Sequence, residues 1–372
     1  MVGDVGLMEA AAKYYTQDNF QLLKDTMRLS ILSSFGGYLD DEFAKAATKF
    51  SNALYGIEGE RTAEENASLT VQGVMSDYLG EAYIERYFSP EAKQDVENMV
   101  QDFIEIYKTR ILNLDWMSDT TKEKALKKLE TLGVRIGYPD NWETPMDAVE
   151  IKGKDEGGSY FENVLEIIKA SFEQFGEMLD QPVDKSGWAL NVYTVNAYYD
   201  ATANQITFPA GILQAPFYDI DAQPEANFGA IGAVIAHEIT HAFDNNGAKF
   251  DEKGNATDWW TAEDYEQFQK LCEKVESFYD GQEAYAGIVN NGSLTLSENI
   301  ADLGGLSCAL EAVSKLDSPD YKVFFESFAT IWRQSSTREA MQYTSTLDVH
   351  SINKIRTNRS VVNFEEFYKA FD

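Results

Sequence analysis

The sequence predicts a mostly α-helical fold with a small β-sheet, an α+β class, from two observations. Through the first half, apolar side chains recur three and four residues apart, as they do along 96–107, which is the spacing of amphipathic helices. After Trp188, the β-branched and aromatic content of 191–196 and 205–208 predicts two neighbouring strands, joined by a turn at 200–204. The chain has 372 residues, which is long enough for two domains.

Capping signals indicate where two of the helices begin. Ser89 precedes Pro90, which puts a capping hydroxyl before a proline at the first helical position. Thr120 and Glu123 have the spacing of a capping box at the start of the next helix. Turn residues within 139–158 predict a linker, and helices should dominate the first half of the chain, from residue 5 to about residue 179.

The composition excludes several functions. There are 31 Lys and Arg against 62 Asp and Glu residues, and the resulting net charge of −31 repels phosphate backbones and anionic lipids, so we expect no nucleic-acid partner. With 44% hydrophobic residues the chain should fold, yet no run approaches the length of a membrane span. We expect a soluble protein and favour a cytoplasmic location. The sequence does not decide between the cytoplasm and export, and it does not predict the oligomeric state. Cys272 and Cys308 match no zinc or redox spacing and should be free thiols.

The strongest chemical signal is His237-Glu-Ile-Thr-His241, an HExxH motif in a chain with only three histidines. On a helix a four-residue step returns to the same face, so both imidazoles can reach one metal ion, while Glu238 can face a water on that ion. Apolar residues between Phe228 and Phe243 recur at helical spacing and predict the helix that this geometry requires. The alternative is an exposed helix on which these side chains are merely solvated.

A catalytic zinc site typically takes three protein ligands, so a third ligand is expected downstream of the motif. The candidate is Glu298, near the start of a second apolar helix. Asp302 follows four residues later on the same helical face, where it can hold the far nitrogen of a ligating histidine. Alternatively, Thr295 and Glu298 form a capping box, in which Glu298 only satisfies a backbone N–H. The spacing leaves both interpretations open.

Several segments of the chain closely resemble the neprilysin-like zinc endopeptidases, which include neprilysin, the endothelin-converting enzymes and bacterial oligopeptidase O. These segments are 195–199, 206–214, 234–247, 298–302, and 348–351 with Arg356. The resemblance implies a two-lobed, zincin-type metallopeptidase with a helical lid-like domain at 1–180 and a catalytic domain at 181–372. Family members are commonly close to twice this length, so we expect the chain to be a C-terminal portion with an incomplete lid.

The resemblance also implies roles at a metal centre. One zinc ion per chain would be held by His237, His241 and Glu298. Glu238 would be the general base and proton shuttle, and Asp302 would orient His237. Asp244 matches an acidic position of the family pattern. It would either contact a zinc ligand without binding the metal itself, or cap the end of a helix.

Further roles are implied toward a peptide substrate. Asn196 and Ala197 would bind the peptide backbone, Arg356 would bind a substrate carbonyl, and His350 would stabilise the oxyanion. The residue after the scissile bond would enter an apolar pocket lined by Ile212, Phe217, Val234 and Trp332. The resemblance thus implies an endopeptidase that cleaves oligopeptides before hydrophobic residues. The alternatives are ordinary core packing of the four apolar side chains and an inactive zinc- and peptide-binding fragment.

Overall fold

The computed structural model describes residues 5–142, 144–179 and 181–372. Up to residue 179 its helices are α1 (Val5–Ala12), α2 (Phe20–Phe35), α3 (Asp41–Tyr55), α4 (Ala63–Val74), α5 (Ser76–Tyr87), α6 (Pro90–Leu112), α7 (Asp119–Glu130) and α8 (Tyr160–Met178). The later helices are α9 (Pro224–Asn227), α10 (Ala233–His241), α11 (Ala262–Tyr279), α12 (Leu296–Val313), α13 (Tyr321–Ile331), α14 (Arg338–Thr344), α15 (Asn353–Val361) and α16 (Glu365–Phe371). The strands are β1 (Gly133–Gly137), β2 (Tyr198–Asp200), β3 (Gln205–Pro209), β4 (Glu283–Tyr285) and β5 (Ile288–Val289). The predicted class, mostly α with a small sheet, is confirmed.

The first of two compact units joins Met1–Asn66 to Pro145–Asp180. Within it, α3 is capped by Asp40, whose carboxylate accepts the N–H groups of two residues in the first helical turn. The same helix ends at Gly56, whose φ of 61° is in the left-handed region that glycine adopts without strain. Aromatic pairs link the end of α2 and the turn after it to the start of α8: Phe35 with Phe161, and Tyr38 with Tyr160.

The second unit joins Ala67–Thr144 to Gln181–Asp372. Its core includes one face of α6, on which apolar residues at three- and four-residue intervals are fully buried, and nearly all of α10. Residues 67–144, which the sequence assigned to the lid-like domain, therefore pack in the same unit as the HExxH motif. The division into a lid-like domain at 1–180 and a catalytic domain at 181–372 stays a prediction.

The helix starts show how tertiary contacts modify local signals. The Ser89 hydroxyl accepts the N–H of Ala92 ahead of Pro90, as predicted. The predicted capping box at Thr120 is wrong, because α7 begins at Asp119 and is capped by Ser118. The Ser118 hydroxyl and N–H also donate to the Asp264 carboxylate on α11, and this distant partner favours the earlier start.

The larger sheet has three strands in the order β1-β3-β2, with β1 parallel and β2 antiparallel to β3. The strand predicted at 205–208 and the turn before it are confirmed by β3 and by a turn that the Asp200 carboxylate stabilises. The strand predicted at 191–196 is wrong, because a turn in which Thr194 donates to the Asn191 carbonyl interrupts it and pairing begins only at Tyr198. Within the described part of the chain, residues 191–197 therefore belong to no strand pairing, and they lead directly into β2.

Two further expectations concern single features of the chain. Cys272 and Cys308 are both buried and unbridged, as predicted. Across the helices of the described ranges, we find no stretch with both the length and the hydrophobicity that a membrane crossing needs.

Candidate metal centre

The HExxH motif lies on α10, which continues from a π-helical turn at Phe228–Gly232 and is buried over eight of its nine residues. Helix α12 packs against α10 at very short distance. A Cβ on Gly305 would lie 2.7 Å from both the Ala233 carbonyl oxygen and the main-chain nitrogen of His237, so only glycine fits there. Glu298 and Asp302 precede Gly305 at helical spacing and therefore share the face that meets α10. This close approach brings carboxylates from α12 to the two histidines.

Three side chains converge at one point between these helices. The Nε2 atoms of His237 and His241 are 2.9 Å apart, and Glu298 Oε2 lies 3.2 Å from the first and 3.5 Å from the second. One ligand atom from each residue falls within 4.8 Å of the others, which suits a shared metal ion. Two imidazoles and one carboxylate are a donor set typical of catalytic zinc, and three ligands leave a fourth position open.

Buried atoms without hydrogen bonds support the same interpretation. Among the described residues, Glu298 Oε2 and Glu238 Oε2 are buried side-chain oxygens with no hydrogen-bond partner of acceptable geometry. Buried carboxylate oxygens in native proteins nearly always have a partner, so an orphaned one at a convergence of imidazole nitrogens fits a metal that satisfies it. The residues present therefore fit a zinc ion.

The two alternative interpretations of these motifs are wrong. Thr295 directly precedes α12, but its side chain makes no capping hydrogen bond, so Glu298 and Thr295 form no capping box. The Thr295 hydroxyl instead accepts from the amides of Asn290 and Asn299. Nor is the HExxH helix exposed, because His237 and Glu238 are both buried.

Asp302 contacts His237 on the side of the ring away from the centre, and Arg356 binds Asp302. Asp302 Oδ1 lies 2.9 Å from His237 Nδ1, and the Arg356 guanidinium donates to both oxygens of the same carboxylate, at 2.8 and 2.7 Å. Burial opposes the charge of Asp302, but the Arg356 cation outweighs it and holds the pKa of that carboxyl well below its usual range. Arg356 also stacks 3.8 Å over the ring of Trp332. The arginine expected to bind a substrate carbonyl is thus also a partner of Asp302.

Asp244 supports the second histidine. Its Oδ2 lies 2.6 Å from His241 Nδ1, and its Oδ1 accepts the N–H groups of Asn246 and Gly247, both at 2.7 Å. Both interpretations of Asp244 thus have a structural basis, because one oxygen contacts a candidate ligand and the other closes the turn after α10. Each histidine has a carboxylate on its Nδ1 side, which leaves Nε2 of each ring facing the centre.

Glu238 and His350 lie at the open side of the centre. Burial raises the pKa of Glu238 above its ordinary value, against the opposing charges of His237 and His241. His350 Nε2 lies 3.1 Å from Glu298 Oε2, and its Nδ1 lies 2.7 Å from Asp348 Oδ1. The His350 side chain is 43% exposed, so it lies at the rim where a substrate would enter.

A cavity of about 290 Å³ opens at the centre. The residues predicted to contact substrate all line it, namely Asn196, Ala197, Ile212, Phe217, Val234, Trp332, His350 and Arg356. The cavity is also lined by Val195, Tyr198 and Tyr199, for which the sequence predicts no individual role. The available signal was their position in the sequence, next to Asn196 and Ala197.

A helical HExxH pair completed by a distant glutamate defines a zincin-type metallopeptidase centre. Two family models described as peptidase family M13 match residues 1–139 and 196–372. The chain belongs to peptidase family M13, the neprilysin-like metallopeptidases.

Similar proteins agree with this assignment. A neutral endopeptidase of Lactobacillus helveticus is 40% identical over 354 residues, which are 95% of this chain and 54% of that protein. Neprilysin of Oryctolagus cuniculus is 32% identical over 99% of this chain and 51% of its own length. The crystal structure of PepO from Lactobacillus rhamnosis superposes with a TM-score of 0.90 at 34% identity, covering 97% of this chain and 57% of that one. The chain thus spans about half the length of the curated relatives that it matches.

Proposed function

We propose that this chain carries the catalytic centre of a zinc endopeptidase that hydrolyses oligopeptides on the N-terminal side of hydrophobic residues. The observation that carries the proposal is the convergence of His237, His241 and Glu298, with ligand atoms within 4.8 Å of one another. These residues would hold a single zinc ion. When bound, zinc lowers the pKa of a coordinated water to about 7 and polarises a carbonyl group.

Glu238 is the proposed general base. Its buried Oε2 has no hydrogen-bond partner of acceptable geometry among the described residues, and it lines the cavity. It takes a proton from the attacking water as that water adds to the scissile carbonyl carbon, and it then delivers the proton to the leaving amine nitrogen. The raised pKa favours the uptake of this proton, because a carboxylate of ordinary pKa holds a proton poorly near neutral pH.

The remaining residues bind and orient the peptide. Asn196 and Ala197 lie on the irregular segment before β2 and line the cavity, where an extended peptide would lie beside them. His350 Nε2, 3.1 Å from Glu298 Oε2, is close enough to donate to an oxygen anion that forms beside the centre. Arg356 holds Asp302 in place and also lines the cavity, so it serves the peptide and the metal centre together.

The preference for a hydrophobic residue rests on four side chains of the cavity wall: Ile212, Phe217, Val234 and Trp332. All four are uncharged aliphatic or aromatic side chains, and the indole of Trp332 stacks on Arg356. A hydrophobic side chain placed against this wall would bury its surface among apolar groups, whereas a charged side chain would lose hydration there. We therefore expect the residue after the scissile bond to be apolar.

The experiment combines metal analysis with peptide cleavage. The wild-type chain should bind one zinc ion and cleave a quenched fluorescent peptide before a central Phe or Leu; chelation should stop the reaction and zinc should restore it. Replacing that Phe by Asp should slow cleavage by about tenfold or more. Mass spectrometry of the products identifies the bond that is cleaved.

Glu238→Gln separates chemistry from binding. This variant should retain zinc but lose about 100-fold or more in turnover, because the amide cannot accept the proton. Glu273→Gln changes an exposed glutamate on α11 and should leave turnover unchanged. Undiminished cleavage by Glu238→Gln would refute the mechanism. A wild-type chain that binds zinc and peptide without cleaving would identify an inactive binding fragment instead.

A further inference from the structure

Lys128 is a buried cation that the proposed chemistry does not use. It lies near the end of α7 and is 1% exposed. Its ammonium group donates to the main-chain oxygens of Ala242 at 2.8 Å, Gly247 at 2.7 Å and Phe250 at 2.7 Å. An ammonium has three N–H donors, and here all three are used.

These carbonyls frame the loop that follows the HExxH helix. Ala242 caps the end of α10, Gly247 opens a 3-10 turn, and Phe250 closes it. Carbonyl groups at a helix C-terminus have no partner within the helix and carry the negative end of its dipole, so a cation there is stabilising. The loop folds back tightly over the helix, because a Cβ on Gly247 would lie 1.8 Å from the His241 carbonyl oxygen.

Asp244 lies in the middle of this loop. Its Oδ1 accepts the N–H groups of Asn246 and Gly247, and its Oδ2 lies 2.6 Å from His241 Nδ1. The loop places the carboxylate, the carboxylate orients the imidazole ring, and both ends of the loop converge on Lys128 Nζ. A loop released from Lys128 would let the ring turn and move Nε2 away from Glu298.

We propose that Lys128 is a positioning residue of the metal centre: by binding the carbonyl oxygens of Ala242, Gly247 and Phe250, it fixes the loop through which Asp244 orients His241. The inference rests on the zinc site of the proposed function. Lys128 is neither one of the three candidate ligands nor a residue of the cavity wall. Its removal should nevertheless weaken zinc binding.

The test measures the dissociation constant of zinc by competition with a chelating dye. Lys128→Met nearly preserves the side-chain length but removes the donors, and we expect zinc to bind about 10-fold more weakly or worse. Lys127→Met changes an exposed lysine next to it and should leave zinc affinity unchanged. Leu129→Ala removes buried apolar atoms from the same helix and should lower stability without changing zinc affinity.

If Lys128→Met does not fold, Lys128→Gln takes its place, since its shorter side chain stays polar at this buried position but has only two N–H donors for the three carbonyl oxygens. Wild-type zinc affinity in a folded Lys128 variant, or an equal loss of affinity in Leu129→Ala, would overturn the inference, because either result reduces Lys128 to a stabilising residue.

A double-mutant cycle tests the route through Asp244. Asp244→Asn alone should weaken zinc binding, and adding Lys128→Met to it should weaken binding by less than about twofold more, because both changes disrupt one contact. Additive losses would overturn the route. A wild-type chain that binds no zinc would refute the proposed function itself, and the two failures are thereby distinguishable.

Discussion

Asp302 Oδ1 lies 2.9 Å from His237 Nδ1, on the side of the ring opposite the Nε2 atom that faces the centre. The carboxylate can therefore accept the Nδ1 proton and leave Nε2 free to bind a metal. In Asp302→Asn, the negative charge that favours a proton on Nδ1 is lost, and in either orientation the amide NH2 group would face an N–H donor of Arg356. We expect the dissociation constant of zinc to rise about 10- to 100-fold, measured by competition with a chelating dye.

The control for this prediction is Asp320→Asn. Asp320 caps α13 by accepting two backbone N–H groups and contacts none of the candidate ligands, so the variant tests the loss of an aspartate elsewhere in the same unit. Its zinc affinity should match that of the wild type. Unchanged zinc affinity in Asp302→Asn would show that the contact with His237 does not control the ligand.

Arg356 should contribute strongly to stability. It is buried and donates twice to Asp302, which is itself buried. Arg356→Met leaves that carboxylate without its cation, and we expect the free energy of unfolding to fall by about 3–5 kcal/mol. Urea denaturation of the zinc-free protein measures the change.

Two further variants make this prediction specific. Arg359→Met removes an arginine on the same helix that stacks on Phe278 and donates to its carbonyl but pairs with no carboxylate of the described ranges. It should therefore be destabilising by only about 1 kcal/mol. Arg356→Met combined with Asp302→Asn should be more stable than Arg356→Met alone, because the unpaired charge is gone. A double variant no more stable than the single one would contradict the explanation.

The candidate site follows from helical spacing to a large extent. His237 and His241 are one turn apart, as are Glu298 and Asp302, so each pair shares a helix face wherever the helices lie. That α10 and α12 meet on those faces was implied by resemblance, and the structure supplies the reason in the glycines of α12.

Other features depend on partners far along the chain and could not be predicted locally. Asp264 favours Ser118 over Thr120 as the helix cap, although the two partners are far apart in sequence. Lys128 has the sequence context of an exposed helical lysine, and only the folded loop at 242–250 makes it a buried one. The 191–196 segment has strand composition, but composition cannot reveal that a turn interrupts it.

Gly305 should be intolerant of a side chain. A Cβ added there would lie 2.7 Å from backbone atoms of α10, and backbone cannot move aside as a flexible side chain can. Gly305→Ala should therefore push α12 from α10, lower the free energy of unfolding by about 1–3 kcal/mol and weaken zinc binding. Gly73→Ala is the matched control, because a Cβ at this position meets nothing within 4 Å. This variant should stabilise α4 by about 0.5–1 kcal/mol, since alanine favours a helix over glycine. Wild-type stability and zinc affinity in Gly305→Ala would refute the packing argument.

Asp264 should make part of the stability depend on pH. Burial opposes its charge, but hydrogen bonds from Ser118 and Thr121 outweigh this effect and lower the pKa to about 2. A carboxyl whose pKa is lower in the folded than in the unfolded chain stabilises the fold above its unfolded pKa of about 4, and this stability is lost as the pH falls toward 2. The wild type should therefore lose its advantage over Asp264→Asn between about pH 5 and pH 2.5 in urea denaturation of the zinc-free protein. Asp119→Asn changes an exposed carboxylate at the same helix start and is the control; a constant difference between wild type and Asp264→Asn across this range would contradict the prediction.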